Sequence, residues 1–159
     1  MDQHTRHIIG CRMHAGILDG VAVCRMFNFA IAGQTLPRYL STDHDPLFEF
    51  HRWRANLWVL EINEIKTVPY VPLSHPFIER LIGTLRREYL DQMPFWGAAD
   101  LRRKLAEFQD FYNTHRAHTA LGGETPAQTA GAPASAAISL QHFAWQSHCR
   151  GLFQTPVAA

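Results

Sequence analysis

An α/β fold with a mainly parallel central sheet is what this sequence predicts, and three observations predict it. Short β-type runs alternate with helix-periodic runs along the chain. No segment repeats at a fixed period, which excludes a solenoid or propeller. At 159 residues, 47% of them hydrophobic, the chain is long enough for one ordinary core.

The elements follow in order. "RHIIGCRMHAG" reads as a strand ending at Gly16. Asp19 is placed to cap a helix whose apolar positions are Val21, Cys24, Phe27, Ala30 and Ile31, closed by Gly33 and Pro37. "RYLST" is a second short strand that stops on Asp43. Pro46 fits the first turn of a helix through "LFEFHRWRANLW", and the alternating "EINEIKTV" is a third strand. "PYVPLSHP" is an irregular loop, because its prolines remove backbone donors. From Phe77 to Asp91, Ile78, Leu81, Ile82, Leu85 and Tyr89 mark one helix face. "AADLRRKLAEFQDFYNTHR" is a further helix, with Leu101, Leu105, Phe108 and Tyr112 on its apolar side. "LGGETPAQTAGAPASAA" reads as a loop or linker, and the last segment is apolar enough to pack back on the domain.

Composition excludes several classes. Charged residues are 18% of the chain and the net charge is +1, so any attraction for nucleic acid must be local. Cys11, Cys24 and Cys149 form no CxxC pair, which fits reduced thiols in a cytoplasm better than a disulfide framework or zinc site. No run is long and apolar enough for a membrane span, and the front of the chain lacks a signal-peptide pattern.

Two acids stand where chemistry is expected. In open α/β sheets functional groups gather at the carboxyl ends of strands, and Asp43 ends one. Glu79 lies in the first turn of a helix, where the dipole favours a carboxylate. Two carboxylates from distant stretches meet only if something offsets their repulsion, and a hard divalent cation does so. Two-metal phosphoryl transfer uses such a cluster: one ion activates the attacking hydroxyl and the other steadies the leaving oxygen. Taken singly, a strand-terminal Asp is most often a turn residue and an early helical Glu a dipole partner.

Their joint context resembles the catalytic core of DDE transposases and retroviral-type integrases, in the bacterial insertion-sequence branch. "S-T-D-H-D" resembles that family's second-aspartate motif, and "S-H-P-F-I-E-R-L-I-G-T-L-R-R-E-Y-L" its glutamate helix. The thirty-five intervening residues match the family's spacing, and "F-Y-N-T-H-R-A-H-T-A-L-G-G-E-T-P" resembles its tail motif. The resemblance implies an RNase H-like fold and an Asp, Asp, Glu set holding two Mg²⁺ or Mn²⁺ ions. It implies hydrolysis of a DNA strand at an element's end and joining of the freed 3′-hydroxyl to target DNA. Asp43 would be the second acid and Glu79 the third, both catalytic and both metal ligands.

The departures carry weight too. The family's D-x-x-[ST]-R stretch corresponds to "DQHTR", residues 2–6, so the sequence is expected to begin after the first acid, and Asp2 is not that ligand. Asp45 replaces a common glycine and Ala117 a common proline, changes expected to affect turn shape. The expectation is an integrase core lacking its first strand and most of its second. It divides into a partial catalytic core, 1–131, and a C-terminal tail, 132–159, and is inactive by itself.

Arg80, Arg86 and Arg87 surround Glu79 in sequence, and Arg86 falls two helical turns beyond it. The resemblance implies DNA contact at about that offset, through phosphates and without sequence preference. For Arg102 to Lys104 a solvated charged face is favoured. "HRAH" (115–118) and "HDPLFEFH" (44–51) lack a second ligand pair at zinc-finger spacing, and Trp53, Trp58, Phe48 and Phe50 read as core rather than a base-stacking platform. The partners expected are DNA and a second copy of the chain or a full-length transposase. Three other readings stay open: an active transposase whose start is placed too late, a non-catalytic remnant that binds DNA or transposase, and an RNase H-type nuclease.

Overall fold

The computed structural model describes residues 1–67, 76–133 and 142–159. The chain divides into two compact units, Arg12–Arg80 and a second made of Met1–Cys11 with Leu81–Ala159.

The Arg12–Arg80 unit begins with α1 (Gly20–Ile31), capped as its sequence requires: Asp19 accepts the Ala22 N–H at 2.7 Å. Strand β1 (Tyr39–Thr42) pairs in parallel with β2 (Asn63–Lys66), from Tyr39 opposite Asn63 to Thr42 opposite Lys66. Between them the single helix expected from Pro46 is split into a 3₁₀ turn, Pro46–Phe48, and α2 (His51–Val59). Phe50 at the break fills the space over Gly20, where an added Cβ would lie 2.5 Å from the Phe50 Cγ. Trp53 and Leu57 turn inward with Ile31 and Ile62, and Phe27 and Phe48 pack on the Trp53 ring at 5.2 and 5.1 Å. Trp58, grouped with the core aromatics by sequence, is instead 81% exposed, since it projects from the face of α2 opposite Trp53 and Leu57.

Helix α3 (Pro76–Thr84) crosses from one unit into the other and continues as a π-helical stretch, Leu85–Leu90. Helix α4 (Ala98–Thr114) follows, then a 3₁₀ turn at Thr119–Leu121 and the short α5 (Pro126–Thr129). Strands β3 (Phe143–His148) and β4 (Phe153–Ala158) form an antiparallel hairpin. The core here is Ile8, Leu81, Tyr89, Phe108, Phe111, Tyr112 and Cys149. The even helical stepping expected through Asp91 stops at Thr84. The widened turn buries Tyr89 completely, with its hydroxyl on Glu107 at 3.1 Å, and lets Glu88 take both guanidinium arms of Arg116.

Two further expectations are corrected. "RHIIGCRMHAG" forms no strand, because side chains take the place of a neighbouring ladder. Asn113 accepts the Ile8 N–H and donates to its carbonyl, and Gln109 donates to the carbonyls of Ile8 and Ile9. "LGGETPAQTAGAPASAA" is not all loop: Thr125 and Gln128 form a reciprocal capping box that starts α5 with Pro126 buried. The apolar tail does pack back. Phe153 stacks on Phe111 with ring centres 4.2 Å apart, and Cys149 enters the core, where burial and then Glu107 push its thiol up to about 11. "PYVPLSHP" falls almost wholly outside the described residues.

Candidate functional site

Asp43 is exposed immediately beyond the carboxyl end of β1. Its position is fixed from beneath by polar side chains on the inner face of the β1–β2 pair. Glu64 Oε1 accepts from Thr42 Oγ1 at 2.6 Å, from Trp53 Nε1 at 3.0 Å and from Lys66 Nζ at 3.1 Å. Burial alone would raise the Glu64 pKa; the hydrogen bonds from Thr42, Trp53 and Lys66 together outweigh it and hold the carboxyl below its usual range. Lys66 also reaches Glu49 at 3.1 Å and the Asp43 and Phe48 carbonyls at 3.2 and 3.4 Å, so it ties the loop after β1 to β2.

The loop is shaped by its aspartates. Asp43 Oδ1 accepts the Asp45 N–H at 3.0 Å, and Asp45 Oδ1 accepts the Leu47 N–H at 2.9 Å. Asp45 has φ −59°, ψ 134°, a conformation any L-residue adopts, so this position does not require glycine. The turn role of Asp43 uses one carboxylate oxygen and is compatible with a functional role for the side chain.

Glu79 is exposed in the first turn of α3 and lies in the same unit as Asp43, with residues 68–75 between them outside the description. Among the described residues no three His, Cys, Asp or Glu side chains gather closely enough to hold a metal ion. Asp43 and Glu79 are the donor type that a hard divalent cation takes, and among the described residues no contact joins them.

Arg80 is exposed on α3 in the Arg12–Arg80 unit, while Arg86 and Arg87 are exposed on the π-helical stretch of the other. Arg87 folds back along the helix: a Cβ at Gly83 would sit 2.8 Å from its Nη1, so Gly83 makes room for the guanidinium. The structure thus leaves Arg86 and Arg87 in different settings despite their adjacency. Sequence reasoning missed Glu64 and Lys66, although the alternation in "EINEIKTV" already placed both on one face of the strand.

Several histidines pack against rings, while His44 hydrogen-bonds the Thr67 carbonyl at 2.7 Å. His115 lies 3.9 Å from His148 ring to ring, and His118 packs edge-on against Tyr112 at 4.7 Å. No helix among the described residues is long and apolar enough to cross a membrane.

Residues 60–126 match the model of the integrase core domain family. Over 130 residues the chain is 30% identical to the insertion element IS476 uncharacterized 39.2 kDa protein of Xanthomonas euvesicatoria, covering 82% of this chain. The chain spans 37% of that relative's length. Among solved structures it resembles a simian T-cell lymphotropic virus intasome in complex with the PP2A regulatory subunit B56 gamma, at a TM-score of 0.64 and 20% identity over 91% of this chain and 55% of that one. It also resembles the BIV integrase catalytic core domain, at 0.54 and 24% over 69% of each chain. The HTLV-2 integrase catalytic core in complex with magnesium matches at 0.53 and 19%, over 70% of this chain and 69% of that one. At these identities the solved structures show the fold alone. The matched domain, the insertion-element relative and the shared RNase H-like fold agree: residues 60–126 match the integrase core domain family, and the chain resembles DDE integrases and transposases.

Proposed function

We infer that this chain serves DNA integration or transposition, as part of a metal-dependent apparatus that cuts a DNA strand and joins the 3′ end to target DNA. The observation that carries this reading is Asp43, exposed at the carboxyl end of a parallel strand and anchored from below by the Thr42–Glu64–Lys66 network. Glu79 supplies the second acid, again from an exposed position. Bound Mg²⁺ or Mn²⁺ would activate an oxygen nucleophile and offset charge on the leaving oxygen. The protein's own part is to hold two carboxylates toward the ion and to bind DNA phosphates through Arg80, Arg86 and Arg87. Because the resemblance calls for three acids and supplies two here, the 159-residue chain alone does not turn over.

Oligomers accord with this reading, since the HTLV-2 integrase core with magnesium occurs in a trimeric form. The test pairs metal titration with a cleavage assay on duplex DNA. Weak Mn²⁺ binding that is lost in both Asp43→Asn and Glu79→Gln, with no strand cleavage above background, is expected. Cleavage by this chain that Asp43→Asn abolishes would overturn the two-acid reading. Metal binding indifferent to both substitutions would remove Asp43 and Glu79 from the site.

A further inference from the structure

Outside that site, one carboxylate organises a group of side chains that the proposed chemistry does not use. Asp100, in the first turn of α4, accepts the Trp96 backbone N–H at 3.3 Å on Oδ2. The same oxygen takes Lys104 Nζ at 3.2 Å, while Oδ1 takes Arg103 at 2.9 Å and Arg150 at 3.2 Å. Lys104 is only 2% exposed, and its ammonium also donates to the Met93 carbonyl at 3.4 Å and to the Pro94 carbonyl. A buried lysine is costly unless all its protons are matched, and here three acceptors match them. The backbone from Met93 to Trp96 is thereby pinned to α4.

What this framework holds out is the indole of Trp96, 91% exposed. A large aromatic held by its backbone and left in water has the backbone part of its ordering cost already met, which suits it to bind a flat partner. The surrounding charge selects which partner. Arg103, Lys104 and Arg150 meet Asp100, and Glu107 lies 3.5 Å from Arg150, a surplus of one positive charge. Aromatic stacking beside surplus guanidinium is the chemistry that recognises unpaired nucleotides: the base lies on the ring and the phosphate on arginine.

We propose that Trp96, with Arg103 and Arg150, forms a stacking platform for an unpaired nucleotide of a DNA strand, separate from the duplex contact of Arg86. The proposal rests on the DNA-processing reading above, and the two are tested together so that they fail differently. The whole chain is titrated with a short labelled oligothymidylate and with a blunt duplex, reading anisotropy at low salt. Trp96→Ala is expected to weaken the oligothymidylate about tenfold and to leave the duplex unchanged. Trp96→Phe, which keeps an aromatic face, should restore most of the loss, and Arg103→Gln should lower both the affinity and its salt dependence. Arg86→Ala should show the opposite selectivity.

An oligothymidylate affinity indifferent to Trp96→Ala, or no measurable single-strand binding by the wild type, overturns the platform while leaving duplex binding to stand. Loss of duplex binding in every variant and in the wild type defeats the broader reading instead. If Trp96→Ala changes neither probe but converts an oligomer to monomer, Trp96 belongs to a protein interface and the nucleotide proposal is wrong.

Discussion

Asn113 satisfies both backbone polar groups of Ile8: its Oδ1 accepts the Ile8 N–H at 2.9 Å and its Nδ2 donates to the Ile8 carbonyl at 3.0 Å. Ile8 is 1% exposed and no ladder partner pairs it, so a single amide does what a neighbouring strand would otherwise do. Within the tail motif, therefore, Asn113 acts on structure, locking residues 105 positions upstream. Asn113→Leu keeps the volume and removes both bonds. Gln109 still donates to the Ile8 carbonyl, so only the Ile8 N–H is left unpaired, and a loss of about 1–3 kcal/mol is expected in denaturant unfolding. A loss under about 1 kcal/mol would mean that water replaces the amide.

Glu64 makes a prediction about acid. Its folded pKa is held below the ordinary value of 4.5, so its contribution is fully present above that value and is lost as pH falls through the depressed one. Glu64→Gln retains an acceptor for Trp53 but discards the charge. The variant should be less stable at neutral pH and should show a flatter stability profile below about pH 4.5. Parallel profiles for the two proteins would assign the acid sensitivity to other carboxylates.

Arg86 should report on DNA contact. If it meets one phosphate, Arg86→Ala weakens duplex binding nearly uniformly across sequences and reduces the slope of log affinity against log salt by about 1. Arg87 lies back over Gly83, so Arg87→Ala should have the smaller effect. Unchanged affinity and slope for Arg86→Ala, with the fold intact by circular dichroism, would return that residue to a solvated face.

The Arg12–Arg80 unit exposes large apolar side chains, including Ile17 at 93%, Trp58 at 81%, Val59 at 71% and Phe29 at 70%. Apolar exposure on this scale marks association surfaces. Sedimentation velocity should show concentration-dependent species, and Trp58→Arg should shift them toward monomer without lowering the melting temperature. A lower melting temperature with unchanged association would show that Trp58 supports the fold instead.

Much of this was legible in the sequence, for reasons that differ by element. Asp19 begins α1 because a short acceptor side chain meets a free N–H locally, and β1 and β2 follow from short β-prone runs. The split at Phe50 was not legible, since it depends on Gly20, thirty residues away in the chain. Neither was the hairpin β3–β4, whose strand β3 is exposed over nearly its whole length and so lacks the alternation of a half-buried strand. The π-helical stretch depends on where Tyr89 and Glu88 find Glu107 and Arg116, partners supplied by a later helix and the turn after it.

By itself the sequence determined the alternation of helix and strand, the two acids and their spacing, and the arginines beside Glu79, because local propensity and residue identity are written in neighbouring letters. Only the tertiary structure decided that Glu64 and Lys66 brace Asp43, that Asn113 stands in for a strand beside Ile8, and that Trp58 faces water while Trp53 does not. These depend on contacts between distant segments, where a polar group must find its partner or lose more than it gains by burial.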